Sequence, residues 1–504
     1  YCLVAGEADA ESLAALARGY DLVFYAATRG DTQPMRNRLD KAGLYGTRVV
    51  VHRVPGPALP YTDYFANAVL FEVTSREHLA ATSLADLYRL LRPCGGVARI
   101  NCPDALVPAV SRALADAKVP KGEVAVDKGC VRIRRGPLIG AGEWTHQYGD
   151  PGKRVSSVER RVRLPLKAAW FGGLGPATIV SRHFREPAPL VIDGRCFIPG
   201  TDHLTAMDIY NGRTLWQRAL PDLAHWPAAY RGPSLAVDHD AVYALQGLGC
   251  LRLDPATGRT LGEYKPPTGK LRIGEGAEWE YLALAGDLVV GTVGHANIKH
   301  EWWSKAYPVN HALFAIEKRT GRLRWLHKPE QGIDSNAIAI DDGKVFIIDG
   351  RPRYPFLAGR RGCGKETPAP RTLLALDLAT GRVLWQTADI VPTLNSLWVD
   401  EGVVVATTSP FARSMVDPNV AKHGGGITAY SAGDGSRLWR IEETKSLAPF
   451  ITEGVLYTPR AFDLATGRPL PPRAGGKGQF SAGLMLLCST LCGCPNLAMG
   501  RQSS

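Results

Sequence analysis

The chain has 504 residues, 45% of them hydrophobic and 21% charged, with 54 glycines, 36 prolines and a formal net charge of +12. That length calls for two or more domains, and the composition is that of turn-dense globular structure rather than a disordered or fibrous chain. The basic residues are scattered, many of them at Thr-Gly-Arg turns, with no basic stripe to track nucleic acid, and no stretch is long enough for a transmembrane helix, Ala482–Cys488 being only strand-sized.

Up to about residue 136, apolar strands alternate with amphipathic helices. Strands are predicted at Tyr1–Ala5, Asp21–Tyr25, Arg48–His52, Asn67–Phe71 and Gly96–Ile100, and helices at Glu11–Arg18, Thr32–Ala42 and Ser83–Leu91. Alternation of this kind builds a mostly parallel, doubly wound sheet. Leu59-Pro-Tyr-Thr-Asp63 precedes one strand and Leu90-Leu-Arg-Pro-Cys-Gly-Gly96 the next. These two motifs, in this order, resemble the class I S-adenosylmethionine-dependent methyltransferases. The resemblance implies a Rossmann-like domain over residues 1–136, with Gly6, Glu7, Tyr61 and Asp63 as the positions that would hold the cofactor. Three departures run against that use. Gly6-Glu-Ala-Asp-Ala10 keeps one glycine where the family has two, Tyr25-Ala26-Ala27 stands where an acidic residue would hold the ribose, and Asn67 replaces an aspartate. A decayed, non-catalytic domain is expected, with S-adenosylmethionine binding as the alternative.

From residue 137 the pattern is all β. Ala206–Trp216, Ala315–Trp325, Ala375–Trp385 and Ala429–Trp439 repeat one sentence: an alternating strand, an acidic slot (Ser431 in the last), a turn with glycine, and a strand ending in tryptophan. Two further turns, Asp254–Gly258 and Asp463–Gly467, keep the frame but have Gly262 and Pro471 where the tryptophan would stand. Each repeat is a hairpin, with a second strand pair upstream of it, as in Ala337–Ile348 and Leu397–Ala406. Four strands per unit in a repeating array make a propeller. The Ala-x-Asp-x-x-Thr-Gly-x-x-x-Trp pattern resembles the tryptophan-docking repeat of quinoprotein (PQQ-like) propellers, and Glu143-Trp-Thr-His-Gln-Tyr-Gly-Asp-Pro-Gly152 resembles the strand that opens them. The resemblance implies seven or eight blades over residues 137–504, the last incomplete, and a packing role for Trp216, Trp325, Trp385 and Trp439.

The repeat specifies fold and says little about function. The loop Gly294–Trp303 gathers His295, His300, Trp302 and Trp303 in the longest gap between repeats; with His183 these are the candidate residues of a propeller-mouth site. Gly359-Arg-Arg-Gly-Cys-Gly-Lys365 imitates a phosphate loop but continues with Glu366, without the hydroxyl that binds magnesium. Ten cysteines follow no repeating spacing, and Cys488, Cys492 and Cys494 lack a fourth ligand for zinc. No catalytic residue, metal or cofactor is expected. No two cysteines are adjacent, whereas PQQ-dependent dehydrogenases carry a vicinal pair, so PQQ and calcium are not expected. The chain opens at Tyr1 in mid-strand and closes within a blade, which reads as truncation at both ends. The expected function is a non-catalytic binding or scaffold protein, bacterial and extracytoplasmic (periplasmic), engaging a protein, peptide or carbohydrate at the propeller face. The alternatives are a methyltransferase with a propeller docking domain and a PQQ-dependent oxidoreductase.

Overall fold

The computed structural model describes all residues except 164, 166–169, 171–187, 201, 222, 224–231, 272–276, 296–309, 351–370, 391–395, 408–425, 443–448, 459 and 472–504. The chain divides into two compact units: Tyr1–Ile139 with Lys167–Gly172 and Asp208–Arg213, and Gly140–Leu166 with Gly173–Met207 and Thr214–Ser504.

The first unit runs β1 (Cys2–Ala5), α1 (Ala10–Gly19), β2 (Phe24–Thr28), α2 (Gln33–Lys41), β3 (Val49–Arg53), β4 (Ala68–Glu72), α3 (Arg76–Ala80), α4 (Leu84–Leu90), β5 (Val97–Asn101), α5 (Val107–Asp116), β6 (Val124–Asp127) and β7 (Cys130–Arg134). Its seven-stranded sheet has the order β3-β2-β1-β4-β5-β7-β6. The first five strands pair in parallel, and the β6–β7 hairpin adds antiparallel to β5. Both faces are covered, as a parallel sheet requires. Leu13, Ala17 and Leu39 pack on Phe24, Ala26, Val49 and Val51 on one side. On the other, Leu87, Leu90, Val110 and Leu114 pack with Leu3, Val69, Phe71 and Ile133. Strand β2 begins three residues later than its predicted start. Tyr25, Ala26 and Ala27 therefore lie inside the strand, and Thr28 ends it. Helices α3 and α5 and the closing hairpin were not legible as elements.

The second unit is a set of antiparallel sheets in chain order. The blades are β8–β11 (Leu190–Ile192, Arg195–Pro199, His203–Asp208, Thr214–Ala219), β12–β15 (Leu235–Val237, Val242–Gln246, Gly249–Leu253, Thr260–Tyr264) and β16–β19 (Ala277–Ala285, Leu288–His295, Asn310–Glu317, Leu323–His327). They continue with β20–β23 (Ile333–Asp341, Lys344–Asp349, Thr372–Asp377, Val383–Thr387), β24–β27 (Ser396–Asp400, Val403–Thr407, Ile427–Ser431, Arg437–Ile441) and β28–β30 (Phe450–Thr452, Val455–Tyr457, Ala461–Asp463). The third and fourth share one bridge, Asn310 to Ile333. First strands of successive blades, β8 through β24, touch in sequence, which is propeller order. Among the described residues there are five four-stranded blades and a sixth of three strands. The expectation of seven or eight counts residues outside them.

The repeat's letters now have a physical reading. In the turn of the fourth blade the Asp377 carboxylate accepts from the Thr380 N–H at 2.8 Å and hydroxyl at 2.6 Å, and Gly381 adopts φ +71°. The turn glycine of each hairpin then receives the aromatic ring from the blade before it. Trp216 packs on Gly258, Trp325 on Gly381, Trp385 on Gly435 and Trp439 on Gly467. Each indole N–H donates to a carbonyl of the same turn: Pro255 at 3.1 Å, Leu378 at 2.7 Å, Ala432 at 3.1 Å and Leu464 at 2.9 Å. Two members of this ladder escaped the repeat pattern. Trp170 packs on Gly212 and donates to Ile209 at 2.9 Å. Tyr264, two residues beyond Gly262 and on the same face of β15, covers Gly321 and donates its hydroxyl to the Lys318 carbonyl.

Candidate functional site

The segment that opens the propeller is an axial strap. Trp144 exchanges two backbone hydrogen bonds with Val191, at 2.8 and 2.7 Å, and the Thr145 carbonyl accepts from Val237 at 3.0 Å. His146 Nε2 accepts from the Leu284 amide at 2.9 Å. Further along, the carbonyls of Pro151, Gly152 and Arg154 accept from Ile340, Val399 and Ile451 at 2.9, 2.9 and 2.8 Å. These six partners lie on the innermost strands of the six blades. Each stands two residues before the same turn position, occupied in order by Asp193, His239, Gly286, Asp342, Glu401 and Glu453. One segment thus satisfies one inner amide in each described blade, five through backbone carbonyls and one through the His146 ring. Orphaned buried amides are costly, which explains why so irregular a segment is held.

Three charged side chains of the strap, Asp150, Lys153 and Arg154, are partnered. Lys153 is buried, donates to the Asn336 carbonyl at 2.5 Å and lies 5.2 Å from the ring centroids of Tyr148 and Trp398. Arg154 bridges Asp150 and Asp400, the latter at 3.1 Å. Burial raises both carboxyls above the ordinary range, and Arg154 opposes that. Burial pushes the His146 imidazole down to about 3. It is therefore neutral, and because Nε2 accepts, the proton sits on Nδ1, which faces Thr145 Oγ1 at 2.8 Å. The backbone is strained where the strap turns: Val155 and Val158 have φ +56° and +54°, unfavourable for β-branched residues. A layer of buried polar groups adjoins it, with Asn310 joined to Thr292, Ser335 and the Ile333 carbonyl at 2.7 to 3.0 Å.

Turns joining first to second and third to fourth strands lie on one face of these sheets, with the turn positions the strap passes. The ends of β17 and β18 that flank residues 296–309 lie on the opposite face. His295 closes β17. His183, His300, Trp302 and Trp303 lie outside the described residues, as do the Gly359–Lys365 motif and Cys488, Cys492 and Cys494.

In the α/β unit each of the four candidate residues makes separate contacts. Gly6 follows β1 at φ +94°, beside the Phe71 ring. Glu7 is exposed, 3.9 Å from His78. Asp63 is paired with Arg89 at 2.9 Å, and Arg89 also binds Asp86 and the carbonyls of Leu59 and Tyr61. The Leu59–Asp63 motif is thereby latched to α4. Tyr61 stacks on His52 and Phe65, and burial pushes its phenol up to about 12. No hydrogen bond, ion pair or ring contact joins Gly6 or Glu7 to Tyr61 or Asp63 among the described residues. Asp9 caps α1, accepting from the amides of Glu11 at 2.9 Å and Ser12 at 2.8 Å, so two donors of that helix start are already used.

The sequence pattern of one protein family, described as outer membrane protein assembly factor BamB, matches residues 174–296 and 309–458, more than half of the chain. The chain belongs to the BamB family. No curated protein matches it in sequence. Among solved structures it is similar to BamB from Moraxella catarrhalis at 16% identity and a TM-score of 0.34, covering 56% of this chain and 71% of that one. It is similar as well to the quinohemoprotein alcohol dehydrogenase ADHIIG of Pseudomonas putida HK5, at 15% identity and TM-score 0.39, over 66% of this chain and 51% of that one. The quinohemoprotein alcohol dehydrogenase of Comamonas testosteroni gives 13%, 0.40, 66% and 52%. This BamB-family chain thus spans about half the length of either dehydrogenase. Sequence reasoning marked the strap's position but missed the parts played by His146, Lys153 and Arg154. The Trp144 to Asp150 motif was the available signal.

Proposed function

We propose that the chain is a non-catalytic binding protein that engages a protein partner through its propeller, with a role in outer-membrane protein assembly of the kind its family's name describes. An extracytoplasmic place of action goes with that reading. The observation that carries it is the strap. It engages one inner amide of every described blade, five through its own backbone carbonyls and one through the His146 ring, and its Asp150, Lys153 and Arg154 side chains are bound to one another, to Asp400 or to a carbonyl. A catalytic centre needs polar groups held free for a reacting atom, and a rigid disc presenting loops needs none. The α/β unit is read as a degenerate methyltransferase-like scaffold. Its parallel core supports the lineage, and the groups occupied at Asp9 and Asp63 support the loss of the cofactor. Peptide or carbohydrate ligands are the narrower variants of the same reading.

Two measurements test it together. Quantitative proteomics of outer membranes, with and without the gene, should show depletion of outer-membrane proteins. Calorimetric titration of the purified chain should show no binding of S-adenosylmethionine, nor of PQQ with calcium. Micromolar binding of S-adenosylmethionine would instead establish the methyltransferase reading. Dye-linked alcohol oxidation after loading with PQQ and calcium would establish the oxidoreductase.

A further inference from the structure

The strap's first residue meets two turns whose side chains converge on it. Glu143, Asp193 and His239 each offer one ligand atom, and the three atoms lie within 4.8 Å of one another. His239 Nδ1 is 3.1 Å from Asp193 Oδ2. The three come from segments far apart in sequence: the strap, the β8–β9 turn and the β12–β13 turn. Asp193 and His239 hold the same register position in neighbouring blades. The four other blades put Gly286, Asp342, Glu401 and Glu453 there. Among the described blades, imidazole therefore occurs at this position only beside the carboxylate that the strap delivers. The backbone of each contributor is fixed nearby, since Trp144 pairs with Val191 and Thr145 binds Val237.

We propose that Glu143, Asp193 and His239 form a site for a divalent transition-metal ion, zinc by its ligand chemistry, that ties the strap to the first two blades. Imidazole and carboxylate oxygen are both ligands zinc accepts, the imidazole disfavours magnesium and calcium, and the two negative charges would neutralise the dication. Bonds of about 2.0–2.2 Å would bring the donor atoms to roughly 3.3 Å apart. Side chains as exposed as that of His239, at 68%, reach this by small rotations. The fourth position is open to water.

The test is calorimetric titration of zinc chloride into metal-free full-length chain, with melting temperature followed in parallel. The expected result is one site whose affinity falls at least tenfold in His239→Ala and in Glu143→Gln, together with loss of the zinc-dependent rise in melting temperature. Asp193→Asn, which keeps a residue tolerant of its φ of +50°, should weaken binding likewise. Zinc affinity unchanged by all three substitutions, or no zinc binding by folded protein, would overturn the proposal and leave the cluster as an ion pair of His239 with Asp193.

Discussion

Trp325 packs on Gly381 so closely that a β-carbon on the glycine would lie 2.6 Å from the indole ring. The ring cannot step aside without breaking its hydrogen bond to Leu378. Gly381→Ala should therefore cost about 2–4 kcal/mol, from a strained positive φ and from overpacking. Gly262→Ala is the control, since nothing lies within 4 Å of its added carbon, and it should change stability by less than about 0.5 kcal/mol. Urea unfolding of the two variants checks the pair.

Tyr264 stands in for a tryptophan at one blade junction. Tyr264→Phe keeps the ring on Gly321 and removes only the donor to Lys318, for a loss of about 1 kcal/mol. Tyr264→Ala removes the ring as well and should cost about 3–5 kcal/mol. Equal losses in the two variants would show that the ring does not carry the junction.

His146 makes the strap acid-sensitive. Its folded-state value, about 3, lies below the ordinary 6.5, so the unfolded chain binds the extra proton. Its contribution is fully present above pH 6.5 and is lost as pH falls toward 3, to a total of roughly 3–5 kcal/mol. Protonation also converts Nε2 from acceptor to donor and breaks the bond from Leu284. Chemical unfolding across pH 7 to 4 should show this slope, and His146→Gln should flatten it.

Arg154 separates two buried carboxylates. Arg154→Met leaves Asp150 and Asp400, 15% and 9% exposed, without their cation. The loss should be about 1–3 kcal/mol, reduced by the partial exposure of the arginine itself. Adding Asp150→Asn should recover part of it in a double-mutant cycle measured by thermal unfolding.

How much of this was legible before the fold is plain from particular residues. The Thr-Gly turns and their tryptophans were readable because the physics is local: a carboxylate reaching the threonine three residues on, and a glycine with positive φ. Tyr264 was not readable, because a shift of two residues along β15 keeps the same face and only the neighbouring blade decides whether the ring still reaches its glycine. In the α/β unit the Leu59–Asp63 motif was legible, but the ion pair it makes was not. Arg89, 26 residues away from Asp63, takes that carboxylate.

By itself, the sequence determined the periodic structure: which residues form strands, where hairpins turn, and that the repeats form blades of one array. Those features depend on alternation and on backbone preference within a few residues. Tertiary structure alone decided the strap and the meeting of Glu143, Asp193 and His239. Those depend on which inner amides the closed sheets leave unpaired, and on which segments arrive beside them. No local pattern encodes that, because the six strap partners span Val191 to Ile451 and share only their position in the ring.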